Sequence, residues 1–181
     1  MRKIILVGIF ILFTGNARAV VYDVYPQDSL ILEQVNLGSP GTVAIAIEFV
    51  NSQDLAAFQI PIALQGEGAR IDSLSFHNSR IAYIGMRPVT ISEDGQQVLF
   101  GAICMMEEYL SPGRGLMATL YLTVDDSLMD HSIYLDSTTV GPASILFTKS
   151  NSSCYVPVFL PGKISNPKAK MNNSEDIKLS D

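Results

Sequence analysis

From Thr42 to Val50, apolar residues alternate with small or charged ones: Val43, Ile45, Ile47 and Phe49 fall on one side, Ala44, Ala46 and Glu48 on the other. A period of two sends neighbouring side chains to opposite faces, so the run predicts a strand with one face buried. Leu116, Ala118, Leu120, Leu122 and Val124 alternate in the same way with Met117, Thr119, Tyr121 and Thr123. Shorter runs of similar kind are Ser29–Val35, Leu55–Leu64, Arg70–Phe76, Arg80–Ile84, Val89–Ser92, Gln97–Met105, Ser132–Leu135, Ser144–Thr148 and Tyr155–Leu160. Turn-forming clusters separate them, among them Gly38-Ser39-Pro40-Gly41, Gln65-Gly66-Glu67-Gly68 and Ser111-Pro112-Gly113. No stretch carries a sustained helical apolar stripe. Many short strands punctuated by turns predict an all-β fold of two packed antiparallel sheets. Pro61 cannot donate to a sheet ladder and predicts an edge position or a bulge in its strand.

The ends of the chain read differently. Arg2 and Lys3 precede the apolar run Ile4–Phe13, and Ala17-Arg18-Ala19 supplies a small-x-small site before Val20. That succession predicts a secretory signal peptide over residues 1–19, too short in its apolar part to span a bilayer, and a mature N-terminus at Val20. After Ile164 the chain turns polar, through Asn166-Pro167-Lys168 to Asn172-Asn173-Ser174-Glu175-Asp176, and cannot repay the entropy of ordering. The expected organisation is a signal peptide, one sandwich domain over residues 20–164 and a loose tail over 165–181. Export places the product outside the cell or in a periplasm, with no membrane span after cleavage.

With 12 basic against 18 acidic residues the chain is acidic, and three of the basic ones, Arg2, Lys3 and Arg18, fall in the predicted leader. An acidic surface repels phosphate backbones, which argues against nucleic-acid binding. The two cysteines, Cys104 and Cys154, would enter an oxidising compartment. Two readings stay open: a disulfide between neighbouring strands, or two buried thiols.

Equipment for catalysis is sparse. His77 and His131 are the only histidines and lack metal-ligand spacing. No Gly-x-Ser-x-Gly elbow supports a hydrolytic triad. The acidic pairs Glu107-Glu108 and Asp125-Asp126 read as solvated turns, without the repeated acidic pattern of a calcium loop. The chain has no Trp, so an aromatic sugar platform would rest on tyrosines. Tyr83, Tyr109 and Tyr134 are the candidates, read first as core-edge residues with their hydroxyls in water. No enzyme activity and no cofactor are expected.

Several segments resemble the cohesin family, nine-stranded jelly-roll sandwiches of extracellular assemblies. The turn after Asn51 leads into Leu55-Ala56-Ala57-Phe58-Gln59-Ile60-Pro61-Ile62. Gln97-Val98-Leu99-Phe100-Gly101 is followed by a loop and by Gly113-Arg114-Gly115-Leu116 with its long strand. Val156-Pro157-Val158-Phe159-Leu160-Pro161-Gly162-Lys163-Ile164 closes the domain. The similarity covers most of residues 29–164. It implies a binding module that grips a dockerin-type protein partner through the outer face of one sheet. The family's polar contacts correspond to Ala57 and Gln59, with Asp54 in the turn before them. Only Gln59 keeps that character, which implies a shifted or more apolar interface. Two other readings compete: a carbohydrate-binding module for a polysaccharide on a closely similar sandwich, and a structural component that pairs through an edge strand.

Overall fold

The computed structural model describes residues 24–105, 108–125 and 132–165. The predicted signal peptide, nearly all of the tail, Glu107, Asp126 and His131 lie outside them. The described residues form twelve strands: β1 (Val24–Leu32), β2 (Gln34–Asn36), β3 (Gly41–Asn51), β4 (Leu55–Gln65), β5 (Ala69–Ser75), β6 (Val89–Ile91), β7 (Gln97–Ile103), β8 (Gly113–Val124), β9 (Ser132–Ser137), β10 (Leu146–Lys149), β11 (Cys154–Leu160) and β12 (Gly162–Ser165). They contain no helix, hence none able to cross a membrane.

The strands make two layers. Sheet one runs β11-β1-β3-β8-β5, and sheet two runs β2-β12-β9-β4-β7-β6 with β10 beside the first half of β4. Strand β11 belongs to both, since Cys154 and Tyr155 pair with β10 while Val156–Leu160 pair with β1. The sandwich is not wholly antiparallel as expected. The β1–β11 and β2–β12 pairings are parallel, because segments from opposite ends of the chain need no hairpin to meet. Ser165, assigned to the tail by composition, closes β12 opposite Asn36 and Ser132.

The alternation that predicts the strands builds the core. Ile45, Ile47 and Phe49 of β3 and Leu120 and Leu122 of β8 face Ile60 and Ile62 of β4 and Phe100 of β7, all essentially without solvent contact. Phe147 ties the layers together, stacked at 4.6 Å on Phe49 and 5.5 Å on Phe58. Burying each such ring contributes about 1.5–3 kcal/mol.

Two expectations change. Arg80–Ile84 is not a strand but a run of turns, in which Ala82 N–H donates to Ser79 O and Ile84 N–H to Ile81 O. Ile81 and Ile84, three apart, are both buried, a spacing that turns satisfy and a strand does not. Pro61 is neither at an edge nor in a bulge; it lies inside β4, flanked by β7 opposite Leu99. On its other side β4 changes neighbour, from β10 up to Gln59 to β9 from Ile62 onward. Pro61 O accepts from Thr138 N–H on that side, so its nitrogen also faces the gap between partners, where no donor is needed.

Candidate functional site

Sheet two turns its second face outward. Phe58, Ile60, Ile62 and Leu64 of β4 point to the core, so Ala57, Gln59 and Pro61 point out; Val98, Phe100 and Ala102 of β7 leave Leu99, Gly101 and Ile103 outside. The register lines these up in rows across four strands. One row is Thr148, Ala57, Ile103 and Met86; the next is Leu146, Gln59 and Gly101; the third is Pro61, Leu99 and Thr90.

Gly101 shapes the middle row. A methyl group there would sit 2.4 Å from the Phe58 carbonyl oxygen, so the position carries no side chain. The result is a depression of about 260 Å³ whose walls include Ala57, Gln59, Leu99, Ile103, Leu146 and Pro88, with no charged residue among them. Gln59 is held down rather than presented: its Nε2 donates to Ser144 O at 3.0 Å. Asp54 does not join them. It is exposed in the turn before β4, where its carbonyl accepts from Ser150 N–H at 3.0 Å.

An apolar rim extends this face. Tyr83, Met86, Val89, Ile103, Met105 and Tyr109 are all exposed, Met105 at 57% and Tyr83 at 55%. Tyr83 hydroxyl donates to Tyr109 O at 2.9 Å, joining the turn segment to the loop after β7. Tyr83 and Tyr109 are exposed rings as the sequence allowed, but the Tyr83 hydroxyl is turned onto protein rather than water. Tyr134 is exposed on β9, with the Lys163 ammonium 5.4 Å from its ring centre. Met86, Gly101, Ile103 and Met105 escaped sequence reasoning; the apolar positions that break the alternation around Ile103-Cys104-Met105 were the available signal.

Arg80 holds the rim in place. Its guanidinium donates to Asn51 Oδ1 at 2.8 Å, Gly113 O at 2.9 Å and Ser111 O at 2.6 Å, and its backbone N–H to Leu116 O. Asn51, itself buried, donates to Gln53, Leu110 and Ser111 carbonyls. Burial lowers the Arg80 pKa from its ordinary value. At Gly115 a methyl would come 2.9 Å from Arg80 Cδ, so the glycine makes room for the arginine stem.

The cysteines are not bridged. Both are free, and the register puts three inter-strand steps between them, Ile103 to Ala57, Ala57 to Thr148 and Thr148 to Cys154. At about 4.8 Å per step this is far beyond disulfide reach. Burial pushes the Cys104 thiol pKa up. Among the described residues no group of three or more His, Cys, Asp or Glu lies together in a metal-like cluster. His77 lines an open cavity with Ser75 and Arg87, without a carboxylate in its walls.

Two of the sheet edges are guarded. The free side of β5 receives the 92–97 turn, with Ile71 N–H donating to Gly95 O at 2.8 Å and Gln96 Nε2 to Ala69 O at 2.9 Å. At the far end of sheet two, β2 is three residues long. Short and covered edges disfavour strand addition.

Comparison with known proteins gives the fold its class. No protein-family model matches the chain, and no curated protein matches it significantly. Solved structures do. A type I cohesin from a cohesin-dockerin complex of Clostridium thermocellum is 16% identical, with 82% of this chain and 99% of that one covered at a TM-score of 0.66. The seventh ScaB type I cohesin of Pseudobacteroides cellulosolvens is 16% identical, with 78% and 93% covered at 0.64. A non-cellulosomal cohesin from the archaeon Archaeoglobus fulgidus is 9% identical, with 83% and 99% covered at 0.59. The chain is a cohesin-like jelly-roll sandwich.

Proposed function

We propose that this protein is an exported, non-catalytic binding module that docks a dockerin-type protein partner on the outer face of sheet two. The depression over Gly101 carries the reading: an uncharged hollow ringed by exposed aliphatic and aromatic side chains is where an interface seats an anchor residue. Ala57 and Gln59 belong to this footprint, and Asp54 stands outside the hollow as a rim contact. With Ala57 small and Gln59 committed to Ser144, the contact is apolar where the family resemblance implied polar groups.

The test is retention of partners from the host's exported proteins on immobilised protein, compared with Ile103→Glu. Recovery of a dockerin-bearing protein is expected, with at least about tenfold weaker retention by the variant. Retention that Ile103→Glu leaves untouched would sink the reading.

A second reading has one observation in its favour. Ser137, Thr138, Thr139 and Ser144 line a groove of about 520 Å³ floored by Ile145, Val156 and Phe159, a mixture of hydroxyls and apolar surface that suits a neutral glycan. Depletion of the protein by insoluble polysaccharide, abolished by Phe159→Ser but not by Ile103→Glu, would favour it.

A further inference from the structure

We infer that the cavity beside Phe76 is a second binding site, next to the hollow over Gly101 but lined by different residues, and that it takes a carboxylate. The cavity, about 550 Å³, opens where the end of β5 meets the turn segment and is lined by Ser75, Phe76, His77 and Arg87 among others. Arg87 Cζ lies 5.3 Å from the centre of the Phe76 ring.

Arg87 differs from every other described arginine. Arg70 pairs with Asp72, Arg114 with Glu48, and Arg80 is engaged by three oxygens. Arg87 is half-buried, yet makes no hydrogen bond or ion pair to any described residue. A guanidinium with no counter-charge in the fold keeps its hydrogen-bonding fork free for a ligand. Its position over the Phe76 ring pre-orients the planar fork, so less side-chain entropy is lost when a ligand is gripped.

The rest of the cavity suits the same ligand. Ser75 Oγ accepts the His77 backbone N–H at 3.1 Å, which leaves its own hydrogen to donate, and the His77 imidazole stands at the same wall. No Asp or Glu lines the cavity, in a chain with 18 acidic residues against 12 basic. One fixed positive charge balances one carboxylate, whose two oxygens match the guanidinium fork. A phosphate dianion would be left with an uncompensated charge near a protein of net charge −6.

Isotope-labelled protein titrated with sodium acetate, a short poly-aspartate peptide and sodium phosphate, at matched ionic strength, tests this by NMR. The Arg87 side-chain N–H and the His77 amide are expected to shift with a carboxylate. Arg87→Met, which keeps an apolar stem on Phe76, is expected to bind at least about tenfold more weakly, with Arg87→Lys between the two. Shifts with acetate and peptide alike support a site for which a free carboxylate suffices; shifts with the peptide alone support a carboxylate carried on a polypeptide. Shifts with phosphate only, with none of the three, or unchanged in a folded Arg87→Met protein overturn the inference. Should Arg87→Met not fold, Arg87→Lys carries the comparison.

Discussion

Asp28 has no contact with solvent, and both its oxygens are engaged: Oδ1 accepts the Ser52 N–H at 2.8 Å and Oδ2 accepts the Tyr155 hydroxyl. A buried acceptor stripped of its donor loses its compensation for leaving water. Tyr155→Phe is therefore expected to cost about 1–3 kcal/mol in urea unfolding, although a phenylalanine fills the same space. A cost below about 0.5 kcal/mol would show the hydroxyl to be dispensable. Gly101 makes a steric prediction instead. Gly101→Ala presses a methyl against the Phe58 carbonyl at 2.4 Å, and relief requires the β4–β7 pair to part. A loss of about 1–3 kcal/mol is expected in the same measurement. Ala57→Gly, one row away and half-buried, provides the control for merely shaving the outer face.

Among the elements, those with one face buried were legible and those shaped by several neighbours were not. Thr42–Val50 and Leu116–Val124 announce themselves because alternate residues meet the same core, and they became the long β3–β8 pair, except that a register shift opposite Ala118 and Leu116 leaves Leu116 half-buried and buries Met117, which the alternation placed outside. Arg80–Ile84 misled, since five residues of mixed character fit a strand about as well as consecutive turns, and only the burial of Ile81 and Ile84 separates the two. Pro61 misled for another reason: whether a strand needs a donor at one position depends on where its neighbour ends, here between Gln59 and Ile62, and that is a property of β9 and β10. The outer face was half legible. Ala57 and Gln59 were placed by family resemblance, whereas the hollow comes from Gly101, a residue with no side chain to enter any pattern. The cysteines depend most on tertiary context, because β4 and β10 intervene between their strands. Thiol titration of denatured, unreduced protein is expected to find both Cys104 and Cys154 free; finding none would contradict the register of sheet two.

For the molecule as a whole, the apolar rim links the proposed binding to stability at high pH. Cys104 and Tyr83 both have raised pKa values, from ordinary values of 9.0 and 10.0, with burial the largest cause for each and Glu108 adding to it. Cys104 also raises Tyr83. The Tyr83 ring is more than half exposed, so its effect arises at the hydroxyl turned onto Tyr109 O and is weakened by solvent. Cys104, half-buried, should carry the larger share. An acid whose pKa is higher in the folded state keeps its proton there after the unfolded chain has released it. Stability is then full below the unfolded pKa and falls as pH rises through it toward the folded value. The thermal midpoint is expected to hold steady near pH 7–8 and to descend above about pH 9, with Cys104→Ala removing much of the slope and Tyr83→Phe less. Cys104 lies between Ile103 and Met105 in the sequence, so under the proposed docking mode partner release in the same pH window should precede global unfolding, and the Cys104→Ala protein should hold the proposed partner to higher pH. A midpoint profile identical in wild type and Cys104→Ala would mean that the thiol is as well solvated in the fold as in the open chain.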